Sequence, residues 1–128
     1  MSYSPDLVWS LVKNNSSFLI KRKGVQLSSD PLNLTNKNTF KDNGFLNRKA
    51  IGIQASKDGI TVSSKSTASG RASKPAALVN KYTTKASTKR AAAKFIANFK
   101  AYRPDLLQAG FRRFSALNKA ARASAKKQ

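Results

Sequence analysis

The sequence predicts an α+β protein: a short N-terminal helix, a small antiparallel sheet of about four to five strands, a basic linker and a C-terminal αα-hairpin. Three observations carry that expectation. Apolar residues repeat at helical spacing over Leu7, Val8, Leu11 and Val12, switch to a period of two from Ser17 onward, and return to helical spacing after Thr88. Between the second and third regimes, SSKSTASGRASKP (Ser63 to Pro75) contains no large apolar residue. Turn signals at Lys23-Gly24, Asp42-Asn43-Gly44 and Lys57-Asp58-Gly59 divide the period-two half into short pieces.

Each element has a local cause. Ser4-Pro5-Asp6 opens a helix, with Ser as N-cap, Pro at the first helical position and an acid beside the positive end. Asn14-Asn15 stop it, and Trp9, which falls off the apolar stripe, is expected to be partly covered by the sheet. Phe18, Leu19 and Ile20 then form a strand whose apolar half lies over the core, while Lys21, Arg22 and Lys23 emerge at the tip of a hairpin closed by Gly24 and continued by Val25 and Leu27. Asp30-Pro31 breaks the sheet, and LNLTNKN (Leu32 to Asn38) is an irregular connection. Phe45 and Leu46 are expected to open another strand, followed by Ile51, Gly52 and Ile53, where Gly52 marks a bulge or a close backbone approach. Lys57-Asp58-Gly59 turns that strand into Ile60-Thr61-Val62.

The organisation expected is a helix-plus-β unit over 1–64, a flexible basic linker over 65–86, and a helical hairpin with its tail over 87–128, packed on the same core. Ala92, Phe95, Ile96 and Phe99 share one face of the first C-terminal helix. Arg103-Pro104-Asp105 starts the second, with a stripe of Leu107, Gly110, Phe111, Phe114, Leu117 and Ala121. Phenylalanines at this spacing read as core.

The chain has 128 residues, enough for one modest core, and 25 Lys plus Arg against 5 Asp, for a net charge of +20. Residues 1–64 hold 9 basic and 4 acidic side chains, and residues 65–128 hold 16 and 1, so the C-terminal half is the more electrostatic. Self-repulsion on this scale calls for a polyanionic partner, nucleic acid first and an anionic membrane surface second. With no Cys, no His and no Glu, the sequence excludes a disulfide framework, a thiolate or imidazole metal site and a Ser-His-Asp triad. Five scattered carboxylates do not form a catalytic pair, so no enzyme and no cofactor is expected. No apolar run approaches the ~20 residues of a membrane span, and MSYSPDLVW lacks the regions of a signal peptide, which points to a soluble intracellular protein.

Four stretches, NSSFLIKR (Asn15 to Arg22), NLTNKNTFKDNGFLNRKAIGI (Asn33 to Ile53), YRPDL (Tyr102 to Leu106) and FRRFSAL (Phe111 to Leu117), together resemble the eukaryotic large-ribosomal-subunit protein twenty-eight family, "L twenty-eight e". The resemblance covers nearly the whole chain. It implies a non-catalytic structural protein of the cytosolic large subunit, passing through the nucleolus during assembly. Its partners would be large-subunit rRNA and neighbouring ribosomal proteins, with no membrane and no small-molecule substrate. Folded RNA is recognised by shape, phosphate and 2′-OH rather than by base edges in its deep groove. The expected phosphate contacts are Lys21, Arg22 and Lys23 at the hairpin tip; Arg48 and Lys49 before the next strand; and Arg71 and Lys74 in the linker. Lys89, Arg90 and Lys94 on the first C-terminal helix, with Arg103, Arg112 and Arg113 near the helical joint, complete the set. Arg113 lies nearest the apolar stripe and is expected to serve packing as well. The alternatives are a nucleolar assembly factor, which would usually carry a long acidic extension, a DNA-architectural protein, and a membrane-surface binder with its Phe face exposed.

Overall fold

The computed structural model describes residues 3–68, 78–84 and 88–125, with the side chains of residues 88, 89, 91 and 125 excepted. The fold is α+β, as the sequence predicts. Its order is α1 (Pro5–Val12), β1 (Leu19–Arg22), β2 (Val25–Ser28), β3 (Ile51–Ser56), β4 (Gly59–Lys65), β5 (Val79–Thr84), α2 (Thr88–Phe99), a 3-10 turn (Pro104–Leu106) and α3 (Leu107–Ala125).

The strands form two antiparallel sheets rather than one: the ribbon β1-β2 and the three-stranded sheet β3-β4-β5. In the larger sheet Ile53 faces Val62 and Val62 faces Tyr82 across the ladder, so Ile51, Ile53, Ile60, Val62 and Tyr82 share one face. Phe95 and Phe99 of α2, Leu106, and Phe114 of α3 close over that face and join it in one core with Leu34 from the irregular connection. Phe95 touches both Phe99 (ring centroids 4.9 Å apart) and Phe114 (6.5 Å), and so ties the helical hairpin to itself as well as to the sheet. Gly110 is buried where α3 packs against α2, and a Cβ there would collide with the Phe95 ring. The opposite face of β3 is covered too. A Cβ at Gly52 would meet the Pro31 carbonyl, so the glycine marks a close backbone approach, and the register of β3 with β4 runs through it without a bulge.

The expectations that fail do so for identifiable reasons. Val79–Thr84, inside the stretch expected as a linker, forms β5 and pairs with β4, while Lys65 ends β4 rather than opening a linker. Its burial alternates weakly, and a short edge strand of this kind, VNKYTT, gives little apolar signal. Phe45 and Leu46 do not form a strand. Asn43 Oδ1 accepts the backbone N–H of Phe45 (2.9 Å) and of Leu46 (3.4 Å), so an Asx turn captures the backbone first. Phe18 and Ile20 do not lie over the core; Ile20 belongs to the separate ribbon, Phe18 precedes it, and both are exposed. Ile96 and Phe111, assigned to apolar stripes, are exposed as well, at 42 % and 43 %.

The first helix departs from expectation at half of its stripe: Val8 and Val12 are half-buried, Leu7 and Leu11 are not. Trp9, the residue off the stripe, packs edge-on against Phe40 with ring centroids 6.0 Å apart, and the stripe residues Leu7 and Leu11 face outward. Ser4 precedes the helix in an extended conformation, yet its side chain makes no capping bond.

The connection between the sheets is held by side chains. Asn33, buried at 1 % exposure, accepts the N–H groups of Thr35 (3.1 Å) and Asn36 (2.8 Å) and donates to the Lys37 carbonyl (2.9 Å). Asp30 accepts the N–H of Leu32 and, through Oδ2, that of Gly44, both at 2.9 Å. Asp42 accepts the hydroxyls of Thr35 and Thr39. Asn47 Nδ2 donates to the carbonyls of Phe40, Lys41 and Asn43. An Asn-rich segment without a ladder thus satisfies its backbone through amides and carboxylates.

Candidate nucleic-acid interface

The basic tip is built by a two-residue turn. Arg22 pairs with Val25 across the ribbon, and Lys23 and Gly24 between them take positive φ (39° and 79°), the pattern of a type I′ hairpin. A left-handed conformation is cheap for Gly24 and less so for Lys23. Lys21, Arg22 and Lys23 are all exposed. Among the described residues the one ion pair is Arg103–Asp105 (2.6 Å), so no carboxylate neutralises the tip. Asp30 and Asp42 are consumed inside the connection.

Arg48 and Lys49 are exposed just before β3, and the fold brings Lys49 to the joint of the two C-terminal helices. Lys49 Nζ lies 5.6 Å from the centroid of the Tyr102 ring, and the Lys49 carbonyl accepts Arg103 Nη1 at 2.9 Å. On the helices, Arg90, Lys94 and Arg112 are exposed, with Lys94 Nζ 5.6 Å from the Tyr82 ring centroid. Arg71 and Lys74 lie outside the described residues, as does the side chain of Lys89.

Two of the expected phosphate ligands are engaged internally. Arg103 grips Asp105 with Nε and Nη2 and spends Nη1 on Lys49, with a longer contact (3.4 Å) from Nη2 to the Lys41 carbonyl. Its side chain is 13 % exposed, and its hydrogen bonds hold the Asp105 carboxyl below the usual carboxylate range. Arg113 reaches from α3 into the sheet. Its Nε donates to the Ile53 carbonyl (2.9 Å), and its Nη1 to the Leu34 carbonyl and Asn36 Oδ1 (2.9 Å each) and the Asn33 carbonyl (3.3 Å). Burial pulls its pKa down from the ordinary arginine value. Of its two expected roles, the one the geometry displays is the scaffold role.

Lys65 has a role that local sequence patterns do not assign. Its ammonium donates to three carbonyls, those of Gly44 (3.2 Å), Phe45 (3.3 Å) and Asn47 (3.1 Å), and pins the turn to the end of β4. Burial lowers its pKa, and the nearby charge of Asp30 opposes that shift. Tyr102 donates its hydroxyl to the Lys65 carbonyl at 2.5 Å, which links the helix joint to the same point. Nothing nearby in sequence separates this lysine from its solvated neighbours, because its acceptors come from a loop about 20 residues earlier. Lys65→Met should keep the aliphatic stem and remove all three bonds, lowering stability by about 1–3 kcal/mol. Thermal melting of the full chain measures it. An unchanged melting temperature would mean that the ammonium does not hold the turn.

No group of three or more metal-ligating side chains occurs among the described residues, and no helix among them is long and apolar enough to cross a membrane. Outward cations without carboxylate partners lie on an α+β body stitched together from within.

Residues 7–120 match the model of the ribosomal L28e protein family, and the chain belongs to that family. The chain is 35 % identical over 123 residues to the large ribosomal subunit protein eL28 of Schizosaccharomyces pombe, covering 91 % of this chain and 92 % of that protein. It is 40 % identical over 114 residues to the eL28 of Trypanosoma cruzi (88 % and 75 % covered) and 39 % identical over 131 to that of Dictyostelium discoideum (97 % and 96 %). The resemblance carried by NSSFLIKR and YRPDL is borne out at family level.

Proposed function

We propose that this protein is a structural constituent of the large ribosomal subunit and that it binds folded large-subunit rRNA through phosphate contacts. It works in cytoplasmic ribosomes after assembly in the nucleolus, and performs no catalysis. The observation that supports this most is the division of its ionic groups. Three of the five carboxylates, Asp30, Asp42 and Asp105, are used inside the fold, whereas Lys21, Arg22, Lys23, Arg48, Lys49, Arg90, Lys94 and Arg112 face outward. Arg71, Lys74 and Lys89 belong to the same proposed set by sequence. Arg103 and Arg113 act on RNA indirectly, by fixing the loops from which Lys41, Lys49 and Asn36 project. Arginine offers phosphate a planar fork and lysine a point charge.

The hairpin tip provides the test. Replacing Lys21, Arg22 and Lys23 together by Gln should leave thermal stability unchanged or slightly raised, because the three contribute repulsion and no internal bond. The slope of log affinity against log salt for RNA should become shallower by about 2–3, at ~0.7–0.9 for each phosphate that is no longer neutralised, and incorporation into large subunits should fall. A triple variant that unfolds, or one that binds RNA with the parental slope, removes the tip from the interface.

A further inference from the structure

The N-terminal helix presents an apolar face that nothing in the described chain covers. Leu7 and Leu11, four residues apart and therefore neighbours on one face, are 54 % and 69 % exposed, and Tyr3 just ahead of them is 73 % exposed. No residue of α1 is buried; Trp9 anchors it to Phe40 from the other side. The last residue of the helix, Val12, also lines a notch of about 210 Å³ together with Phe18 and Phe45, with Asp30 and Asn43 also in its wall. Phe45 is itself 63 % exposed. Side chains of this size forgo about 1.5–3 kcal/mol each by staying in water, and contiguous exposed apolar surface marks an interaction site.

Charge decides what covers it. The first twenty residues hold one Lys and one Asp, so the net charge of +20 resides entirely in the remainder. A face without cations neutralises no phosphate and so releases none of the counterions condensed on a nucleic acid, the term that dominates such binding. A second copy of a chain carrying +20 is repelled. Nor can the chain's own remaining segments serve. Residues 69–77 (SGRASKPAA), 85–87 (KAS) and 126–128 (KKQ) contain no Val, Leu, Ile or aromatic residue, and residues 1–2 add one Met and one Ser, too little to cover Tyr3, Leu7, Leu11 and the notch together.

We propose that Tyr3, Leu7, Leu11 and the notch at Val12, Phe18 and Phe45 form a docking face for another protein of the same assembly. The partner contributes an apolar segment, one bulky side chain of which enters the notch, with acidic groups at its rim facing Lys13. The protein is then bipolar: RNA is held by the hairpin tip and the C-terminal half, and a protein neighbour by the N-terminal helix. The inference rests on the ribosomal reading for the particle in which the partner is met.

The test is site-specific photo-crosslinking in purified large subunits that contain the full chain with benzoylphenylalanine at position 7, 11 or 23. Positions 7 and 11 should give a nuclease-resistant adduct with the same ribosomal protein, and position 23 an adduct with RNA. Leu11→Asp should reduce the position-7 adduct at least tenfold while the melting temperature and the position-23 adduct are unchanged. Adducts from 7 and 11 to RNA or to a second copy overturn the proposal. So does no adduct at either position while 23 still captures RNA, and so does an adduct indifferent to Leu11→Asp. A chain that never enters large subunits overturns the ribosomal reading, and the docking face with it; the arm at position 23 tells the two failures apart.

Discussion

Phe114→Ala should destabilise the protein by about 3–5 kcal/mol, a large part of the ~5–15 kcal/mol that holds a domain of this kind folded. Phe114 is 1 % exposed and stacks on Phe95, which is equally buried and touches Phe99 in turn, so the truncation opens a void where α2, α3 and the sheet meet. The surrounding groups are poorly placed to collapse into it. Gly110 already lies against the Phe95 ring, and the sheet side is fixed by the ladder of β3 and β4. Phe111→Ala, one turn away, is the internal control: at 43 % exposure it should cost well under half as much. Thermal melting of the two variants side by side checks the assignment, with a drop on the order of 10 °C or more expected for Phe114→Ala. Equal shifts would mean that the face of α3 assigned to the core is wrong.

RNA affinity should fall by about three to five powers of ten between 50 and 200 mM salt if six to ten phosphates are contacted. Among the described residues, eight of the expected phosphate contacts are exposed cations, a number within that range. The more discriminating expectation concerns two adjacent arginines. Arg112→Gln should make the salt slope shallower by the share of a single phosphate, ~0.7–0.9, and leave melting unchanged. Arg113→Gln should do the opposite: it removes donors to Ile53, Leu34, Asn33 and Asn36, should lower stability by about 1.5–3 kcal/mol, and should leave the slope near its parental value. Filter binding over a salt series, paired with melting, measures both. A flat salt response would dismiss phosphate contact as the basis of attachment. A shallower slope for Arg113→Gln at full stability would place that arginine in the interface after all.

These two residues show where sequence reasoning works and where it stops. Periodicity separates Arg112 from the apolar stripe correctly and flags Arg113 as lying close to it, but which acceptors it reaches depends on a loop some 80 residues earlier. Short-range signals are legible: the Pro-led helix starts, the Lys23-Gly24 and Asp58-Gly59 turns, the close approach at Gly52, and Phe95, Phe99 and Phe114 as core. What periodicity does not reveal is which apolar faces find a partner within the chain. Leu7, Leu11, Phe18 and Ile20 obey the pattern of buried residues and lie on the outside, since a pattern reports that a face wants cover without saying whose. β5 gives no clear signal because it follows a stretch without large apolar residues and is itself only half buried. The outward cations are legible as charges, and their division into structural and free is not, because a lysine or arginine announces its charge and not its acceptors.

The Asn43-Gly44 pair bears on how the protein ages. An asparagine followed by glycine is the dipeptide most prone to spontaneous deamidation, because the unhindered glycine nitrogen can swing back onto the asparagine side-chain carbonyl and expel ammonia as a cyclic imide forms. Here both reacting groups are tethered. The Gly44 N–H is donated to the buried carboxylate of Asp30, and Asn43 Oδ1 is held by the N–H groups of Phe45 and Leu46. Cyclisation needs the Gly44 nitrogen freed from Asp30 and the Asn43 side chain turned toward it, so chemical lifetime should be coupled to folding. A folded chain should keep its asparagine longer than an unfolded copy, in which deamidation would put an aspartate or isoaspartate into the turn that Lys65 clasps.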